Sequence, residues 1–323
     1  MDLLFLGTSA GVPTKTRNVS GSVIREAFGK GWYLIDCGEA TQHQLLHTKL
    51  SLNTLKAIFI THIHGDHCYG LLGLLASAAM NGRTDPLKII APKGIAEWVM
   101  ATQRYTQLYI PYELEFICSD TFPYLKFEAM TVTCQPLSHR VPSYAYCFQE
   151  RDIKPGLNIE KLQQDGIPKG PLWGKISQGE DVEYQGQRFC GRDYWVFAHA
   201  PRKIVIAGDN DMPSLLTECC QDCQVLVHEA TYTRDVALKV GKAFGHSDAH
   251  TIATFAEQCQ LPYLVLTHFS PRYQNHSTSL LSIADIQEEA RNVYSGQLYL
   301  AYDLAEFHLD RAGRLQVVGE GFQ

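Results

Sequence analysis

The sequence has no long hydrophobic run, and no basic segment precedes its first short apolar stretch, residues 3–6. A bilayer-spanning helix needs about 20 apolar residues, so we expect neither membrane anchoring nor export. With 45% hydrophobic and 19% charged residues over 323 positions, the composition is that of an ordinary globular protein. A chain of this length can bury one large core or two smaller ones.

The sequence also lacks a disulfide framework and an excess of positive charge. Its 10 cysteines are scattered without regular spacing, so we expect reduced thiols and a cytoplasmic protein. Cys220 and Cys223 have a zinc-clip or redox spacing, but no second pair accompanies them, and we interpret them as buried free thiols. The net charge of −6 argues against indiscriminate binding to polyanions, although it leaves room for a local basic patch.

One short segment is rich in metal-ligand side chains. Three histidines and an aspartate, His62, His64, Asp66 and His67, directly follow the apolar run 55–60, which predicts a buried strand. Imidazole nitrogens and carboxylate oxygens are zinc ligands, and an irregular loop lets residues converge from several directions. The segment therefore predicts a metal site where the strand ends.

Further polar side chains follow other predicted strands. His139 follows a strand-like segment, Asp209 follows 204–207, Glu229 follows 225–227 and His268 follows 264–267. Helical patterns alternate with these strands, and a helix beginning near Glu39 is expected to carry Leu45 and Leu46 inward. This alternation predicts an α/β (α+β) fold with mixed sheets covered by helices.

Residues 151–192 interrupt this pattern, because they are rich in proline and glycine and have little apolar periodicity. Between Lys154 and Lys175 the segment carries four lysines against two acidic residues. We therefore expect an insertion that is mildly basic within an acidic protein.

The predicted ligands form two sets. His62, His64 and His139 supply three nitrogens to one ion, whereas Asp66, His67 and His268 supply one oxygen and two nitrogens to another, with Asp209 bridging both. Such shells are typical of zinc sites that keep a position open for water, and paired ions are known to clamp a phosphate during displacement.

In this order at strand ends, these residues resemble the metallo-β-lactamase superfamily over nearly the whole chain. Within it, the sequence is most similar to the tRNase Z family, the endonucleases that mature tRNA 3′ ends. Four further segments carry that resemblance: residues 13–18, the His-Glu-Ala-Thr motif at 228–231, Gly-His-Ser at 245–247, and Pro-Lys-Gly-Pro at 168–171. We expect the first of these, with its cations Lys15 and Arg17, to be exposed. Asp248 and Asn210 depart from it, since threonine is usual at the first position and frequent at the second. Asp248 places a carboxylate close to where RNA would lie, and we expect it to weaken or retune the acid group.

The resemblance implies an αββα sandwich of two mixed sheets, a single domain over 1–323, with 151–192 as an inserted tRNA-binding flexible arm. It implies two Zn²⁺ per subunit, although Mn²⁺ and other divalent ions also suit such shells. Precursor tRNA would be cut to leave a 3′-hydroxyl and a trailer beginning with a 5′-phosphate, by a homodimer that binds neither DNA nor membranes. Asp66 would accept a proton, and His246, oriented by Glu229, would protonate the departing oxygen. The substrate-binding residues that it implies are Lys15, Arg17, Lys169, Gly170 and Pro171.

Two other interpretations keep the same metal site. A phosphodiesterase acting on small phosphodiesters or cyclic nucleotides needs the ligands but not the arm. An RNA-binding module that no longer cleaves has no use for an open coordination position or for Glu229 and His246. Both are therefore less well matched to this sequence than a tRNA 3′ endonuclease is.

Overall fold

The computed structural model describes residues 1–151, 153, 155–197, 199–275 and 281–318. Its strands are β1 (Asp2–Gly7), β2 (Gly21–Arg25), β3 (Trp32–Ile35), β4 (Leu55–Phe59), β5 (Leu87–Ala91), β6 (Leu114–Cys118), β7 (Leu125–Lys126), β8 (Met130–Leu137), β9 (Ser143–Glu150), β10 (Gly156–Leu157), β11 (Val182–Tyr184), β12 (Gln187–Phe189), β13 (Trp195–Val196), β14 (Lys203–Ala207), β15 (Val225–Glu229), β16 (Tyr263–Thr267), β17 (Gln297–Leu300), β18 (Glu306–Leu309) and β19 (Leu315–Val318).

The helices lie mostly between the strands. They are α1 (Thr41–Leu45), α2 (Gly65–Cys68), α3 (Leu71–Met80), α4 (Ile95–Thr106), α5 (Ile159–Gln164), α6 (Pro171–Ser177), α7 (Arg234–Val240), α8 (Ala249–Gln258) and α9 (Ile283–Arg291), with short 3₁₀ turns at Leu52–Thr54, Gly191–Tyr194, Pro213–Leu216 and Lys242–Phe244. Among the residues described, no helix combines the length and apolar character needed to cross a bilayer.

The chain divides into two compact units, Met1–Gln149 with Arg202–Gln323, and Glu150–Pro201. In the first unit, eight strands form one mixed sheet in the order β19-β18-β1-β2-β3-β4-β5-β6. Seven form another in the order β17-β16-β15-β14-β9-β8-β7. The predicted α/β fold with two mixed sheets and flanking helices is confirmed.

Side-chain alternation along the strands builds three apolar layers in this unit. Leu3 and Phe5 of β1 join side chains of the other sheet in one cluster between the two sheets. Leu6 instead joins Leu71 and Leu74 of α3 on the outer face of the first sheet. Ile252 of α8 and its neighbours cover the outer face of the second sheet. Period-two alternation, with both faces apolar, is what a strand between two covered layers requires.

Two local expectations have different outcomes. Leu46 was expected to point inward, but α1 ends at Leu45 and Leu46 is 78% exposed, so that prediction is wrong. The helix begins only at Thr41, and one short helical turn buries a single leucine. Cys220 and Cys223 are buried in the apolar layer that contains α8, as expected for structural thiols.

The second unit has a small apolar core of its own, which includes Leu162, Ile176 and Tyr194. β10 pairs with β13 and β11 pairs with β12, both antiparallel, and α5 and α6 lie between these strands in the chain. The predicted insertion 151–192 lies within this unit, whose pairing of β10 with β13 brings in residues as far as Val196. Lys154, one of its predicted cations, lies outside the described residues.

Candidate metal centre and acid-base pair

The histidine-rich segment lies at the carboxyl end of β4, as the sequence predicts. His62 follows the strand and is completely buried, His64 and Asp66 are partly exposed, and His67 is buried in α2. α2 is a single turn, so its residues and the preceding loop present side chains in different directions. This geometry lets neighbouring residues reach separate ligand positions.

The second sheet contributes the remaining predicted ligands at its strand ends. His139 follows β8, Asp209 follows β14, and His268 follows β16 with a φ of +57°. β14, β15 and β16 run parallel, so Asp209, Glu229 and His268 reach the same edge of the sheet. This edge carries the candidate site.

The seven predicted ligands form two donor clusters, and a third group joins Asp209 and His268 with Glu229 and His246. One donor atom from each of His62, His64, His139 and Asp209 lies within 4.8 Å of every other, and the same holds for Asp66, His67 and His268. The seven residues that the sequence predicts as ligands are therefore brought together, and their role as ligands stays a prediction.

Asp209 faces both clusters, with a different oxygen toward each. Its Oδ2 lies 3.5 Å from His62 Nε2 and 3.7 Å from His139 Nε2. Its Oδ1 lies 3.5 Å from His67 Nε2 and 3.4 Å from His268 Nε2. A carboxylate in this position can bridge two cations, as the sequence pattern predicts.

Hydrogen bonds from the opposite ring nitrogens orient the ligand nitrogens. His67 Nδ1 donates to Asp36 Oδ2 at 2.6 Å, and His139 Nδ1 donates to the carbonyl oxygen of Gly245 at 2.7 Å. Each bond holds its ring so that the other nitrogen, Nε2, is directed at its cluster. Such partners are a regular feature of histidine ligands because they hold the ring and raise its basicity.

Asp36 also fixes the start of the ligand loop. It follows β3 with a φ of +60°, and its carboxylate accepts hydrogen bonds from the backbone N–H of Thr61 at 2.7 Å and from its hydroxyl at 2.9 Å. The Thr61 hydroxyl oxygen lies 3.0 Å from His62 Nδ1. One carboxylate therefore positions both histidines that flank the loop.

The surroundings of His62 match those of a cation ligand. Burial and the neighbouring His67 hold the pKa of His62 well below its usual range, so its ring is neutral. Its Nε2 is buried and has no hydrogen-bond partner among the described residues. A buried, neutral imidazole nitrogen without a partner is costly unless it binds a cation. The donor set therefore fits divalent metal ions.

His246 and Glu229 form a pair beside the clusters. His246 Nδ1 donates to Glu229 Oε2 at 3.0 Å, and Glu229 Oε1 accepts the backbone N–H of Asn210 at 2.7 Å. Burial opposes the charged imidazolium, but Glu229 and Asp209 outweigh it and raise the pKa of His246. A histidine that stays protonated near neutral pH has the character of a general acid.

The two departures from the family pattern have defined structural roles. Asp248 is the N-cap of α8, and its carboxylate accepts the backbone N–H of Thr251 at 2.8 Å and its hydroxyl at 2.9 Å. Asn210 is completely buried, where its side-chain oxygen accepts the backbone N–H of Ser138 at 3.2 Å and its amide nitrogen lies 3.1 Å from His228 Nε2. Asn210 thus joins segments that carry three of the site residues.

The cationic segment 13–18 is less exposed than expected. Arg17 is only 5% exposed, and its guanidinium donates to the carbonyl oxygens of Tyr273 at 2.7 Å and Ser270 at 3.3 Å. The expectation of an exposed Arg17 is wrong because these carbonyls, more than 250 residues away, enclose it. Lys15 is exposed. Binding of substrate by either residue stays a prediction.

Three predicted substrate-binding residues lie in the second unit. Lys169, Gly170 and Pro171 are exposed in the segment that leads into α6, with Gly170 as its N-cap and Pro171 as its first residue. Lys175 on α6 is also exposed, and within the described part of the chain neither it nor Lys169 forms an ion pair. Their contact with RNA stays a prediction.

Some supporting residues were not predicted from the sequence. Asp303 accepts hydrogen bonds from the Thr8 hydroxyl at 2.8 Å, the Asn18 backbone at 2.6 Å and the Gln44 amide at 3.0 Å. The position of Asp36 directly after a strand was a usable signal, of the kind that identified Asp209. Asp303 gave a similar signal, because it follows β17 by three residues, as His62 follows β4.

Known proteins resemble the chain over its full length. Residues 1–103 match a family model described as Anti-Pycsar protein Apyc1. A protein of Pseudomonas putida (strain GB-1) named Ribonuclease Z is 50% identical over 319 residues, which cover 99% of this chain and 100% of that protein.

Solved structures share its fold. The crystal structure of human tRNase Z, short form, is 25% identical with a TM-score of 0.65, covering 96% of this chain and 100% of that one. The metallo-β-lactamase fold protein YhfI from Bacillus subtilis, 18% identical with a TM-score of 0.64, covers 94% of this chain and 98% of its own. Since the identity to the first relative spans essentially both chains, this protein belongs to the ribonuclease Z family and has the metallo-β-lactamase fold.

Proposed function

We propose that this protein is a metal-dependent endoribonuclease that removes the 3′ trailer from precursor tRNA. The observation that carries the proposal is the pair of donor clusters joined by Asp209, in a chain 50% identical over its length to a protein named Ribonuclease Z. The products are a tRNA with a 3′-hydroxyl and a trailer with a 5′-phosphate. Because tRNA is the proposed substrate, we also propose a cytoplasmic location.

We propose two Zn²⁺ per subunit. His62, His64 and His139 would hold one ion, Asp66, His67 and His268 the other, and Asp209 both. When bound, such ions polarise the scissile phosphate and lower the pKa of a water molecule so that it can attack at neutral pH. The mixture of nitrogen and oxygen donors also suits Mn²⁺.

The protein's own groups move the protons. Asp66 Oδ2 lies 3.5 Å from His67 Nε2 and accepts the backbone N–H of Gly11 at 2.7 Å, which fixes its position as a proton acceptor for the attacking water. His246 donates its Nε2 proton to the departing 3′ oxygen, since Glu229 occupies its Nδ1. The charge of Glu229 stabilises the imidazolium until that transfer.

The first experiment tests the chemistry. His246→Ala should lower kcat for a precursor tRNA with a 3′ trailer by about 10²- to 10⁴-fold, the usual contribution of a general acid, with the metal content unchanged. His43→Ala, which removes an exposed histidine on α1, is the matched control. Unchanged cleavage by His246→Ala would exclude the proposed role. If the wild-type protein supplied with zinc leaves the precursor uncut, the function itself is excluded.

We propose that the second unit, Glu150–Pro201, is the tRNA-binding arm, with Lys169, Gly170 and Pro171 in contact with RNA and Lys15 and Arg17 serving the cleavage end. Folded RNA is read mainly through its shape and backbone phosphates, for which exposed lysines without internal ion pairs are suited. Lys169 and Lys175 are such residues.

The strand ends that border the arm make a clean deletion feasible. Gln149 of β9 and Lys203 of β14 are direct antiparallel partners, so a short glycine-serine linker can replace residues 151–200. The deletion should abolish precursor cleavage but spare hydrolysis of bis(p-nitrophenyl) phosphate. Equal loss of both activities would mean that the arm is needed for folding rather than for tRNA binding, and retained cleavage of precursor would exclude its proposed role.

We also propose a homodimer. Several large side chains are exposed in the first unit on or beside α1, α3 and α4: Leu46, Tyr69, Met80, Met100, Tyr105 and Tyr109. Exposed side chains of this kind are enriched at interfaces, and a second copy of the chain is the proposed occupant. Sedimentation should give a dimer that Leu46→Glu with Tyr105→Glu weakens. A wild-type monomer at micromolar concentration would contradict this.

A further inference from the structure

Two exposed arginines border His246, each placed over an aromatic ring. The Arg140 guanidinium carbon lies 5.5 Å from the ring centre of Phe244, and that of Arg272 lies 5.6 Å from the ring centre of Tyr232. The Tyr232 ring is 6.1 Å from the His246 ring, and Phe244 is two residues before it in the chain. Both pairs therefore lie beside the proposed acid.

The first pair is fixed by the site itself. Gly245 has a φ of +67°, and its carbonyl oxygen accepts the hydrogen bond from His139 Nδ1 at 2.7 Å. A Cβ at this glycine would lie 3.0 Å from His139 Nδ1 and 3.4 Å from the backbone nitrogen of Arg140. The segment that carries Phe244 and His246 thus packs directly on the one that carries His139 and Arg140.

The two arginines are not used in internal ion pairs. Across the residues that the structure describes, neither Arg140 nor Arg272 has a carboxylate oxygen within 4.0 Å. Phe244 is 45% exposed. Pairs of this kind also occur away from the site, as for Arg311 over Phe28 at 5.2 Å. What distinguishes the pairs at Arg140 and Arg272 is their position beside His246.

We infer that these two pairs bind the nucleotide whose 3′ oxygen leaves, the last nucleotide kept in the tRNA. This inference rests on the proposed function, because His246 can protonate that oxygen only if the nucleotide lies beside it. Unpaired bases are commonly bound by stacking on aromatic rings and guanidinium planes. The base stacks on the Arg140–Phe244 pair, and Arg272 contacts the adjoining phosphate.

The experiment combines protein variants with abasic substrates. Precursor tRNA is prepared intact, with an abasic site at the last retained nucleotide, or with one at the first trailer nucleotide. Wild type, Phe244→Ala and Phe244→Leu are compared by kcat/KM, with metal content measured for each. Phe28→Ala is the matched control, because Phe28 also lies under an arginine but is remote from the site. It is in the β2–β3 turn, next to the Asp2 end of β1, whereas the site lies beyond the Gly7 end.

Loss of the base and loss of the ring should not be additive. In wild type and Phe28→Ala, removing the last retained base should lower kcat/KM about tenfold or more, the range of one base–aromatic stack. Phe244→Ala and Phe244→Leu should each lose a similar factor on the intact substrate and less than about twofold more on the abasic one. The abasic trailer nucleotide should affect all four proteins equally.

The arginines give an independent measurement. Arg272→Ala should reduce the slope of the logarithm of the binding constant against the logarithm of salt concentration by about 1, the value for one phosphate contact. Arg311→Ala should leave this slope unchanged. The inference is overturned if the Phe244 variants lose as large a factor in kcat/KM on the substrate without the last retained base as on the intact one. It is also overturned if their loss depends on the first trailer base instead, or if Arg272→Ala leaves the salt dependence unchanged. Absence of any wild-type precursor cleavage would instead contradict the proposed function.

Discussion

The free energy of unfolding of this protein should depend on pH in part through Asp303, and Asp303→Asn should remove that part. Its carboxylate is mostly buried and accepts three hydrogen bonds, from Thr8, Asn18 and Gln44. Burial raises the pKa of Asp303 to about 6, against the opposing effect of the bonds from Asn18 and Thr8. The carboxylate thus joins the segment after β1, the cationic segment 13–18 and α1.

The sign of the effect follows from the raised pKa. The unfolded chain releases the Asp303 proton near pH 3.8, whereas the folded protein keeps it until about pH 6. Its contribution to stability is therefore present below pH 4 and is lost as the pH rises through 6. A difference of about two pH units corresponds to about 3 kcal/mol. An asparagine stays neutral throughout. Its amide cannot accept all three hydrogen bonds, so the substitution lowers the free energy of unfolding by about 1–3 kcal/mol at every pH.

Urea unfolding of both proteins from pH 4 to pH 7, at a fixed concentration of free zinc, measures this contribution. Relative to wild type, Asp303→Asn should gain about 2 kcal/mol across that range, because the unfolded carboxyl is already partly ionised at pH 4. Asp310→Asn is the control, because Asp310 is a partly exposed turn residue whose hydrogen bonds with Arg314 lower its pKa from the ordinary value of 3.8. Parallel curves for Asp303→Asn and wild type would refute the reasoning.

Three further outcomes follow from the site. Chelation should abolish precursor cleavage and lower the melting temperature, and added zinc should restore both, because the clustered donors lose their cations. Arg17→Lys should lower the free energy of unfolding by about 2 kcal/mol, since an ammonium cannot replace a guanidinium that reaches two carbonyls. If urea unfolding is unchanged, the Arg17 contacts are not structural. Asn210→Ala should cost about 2–4 kcal/mol by leaving the Ser138 N–H and His228 Nε2 without their partner, and Asn210→Asp should not restore the contact with His228 Nε2. An Asn210→Ala protein as stable as wild type would contradict this.

The metal-ligand residues could be predicted because each obeys a local rule. Apolar runs that end in histidine or aspartate identify strands whose ends meet at one edge of a sheet, and His62, Asp209 and His268 all follow such runs. The same rule applies to Asp36, which orients His67 and Thr61. Local pattern therefore identifies the donors, and the fold only has to bring the strand ends together.

The burial of Arg17 and the hydrogen-bond partners of Asp303 could not be predicted in this way. Both residues lie in irregular segments, where a charged residue usually faces water. Their partners are far away in the chain: Arg17 contacts Ser270 and Tyr273, and Asp303 contacts Thr8 and Asn18. A charge that satisfies distant backbone groups has no sequence periodicity, so its burial becomes visible only in three dimensions.

Asp248 shows why the sequence neighbours of a catalytic group are an uncertain guide to its pKa. By sequence, its carboxylate lies two residues from His246 and was expected to retune the acid. In the structure both carboxylate oxygens are used by Thr251 at the first turn of α8. The pKa of His246 is raised instead by Glu229, at the end of β15, and by Asp209, after β14. Because an N-cap side chain turns toward its own helix, Asp248 stabilises the helix that follows the acid, while the sheet edge sets the charge of the acid.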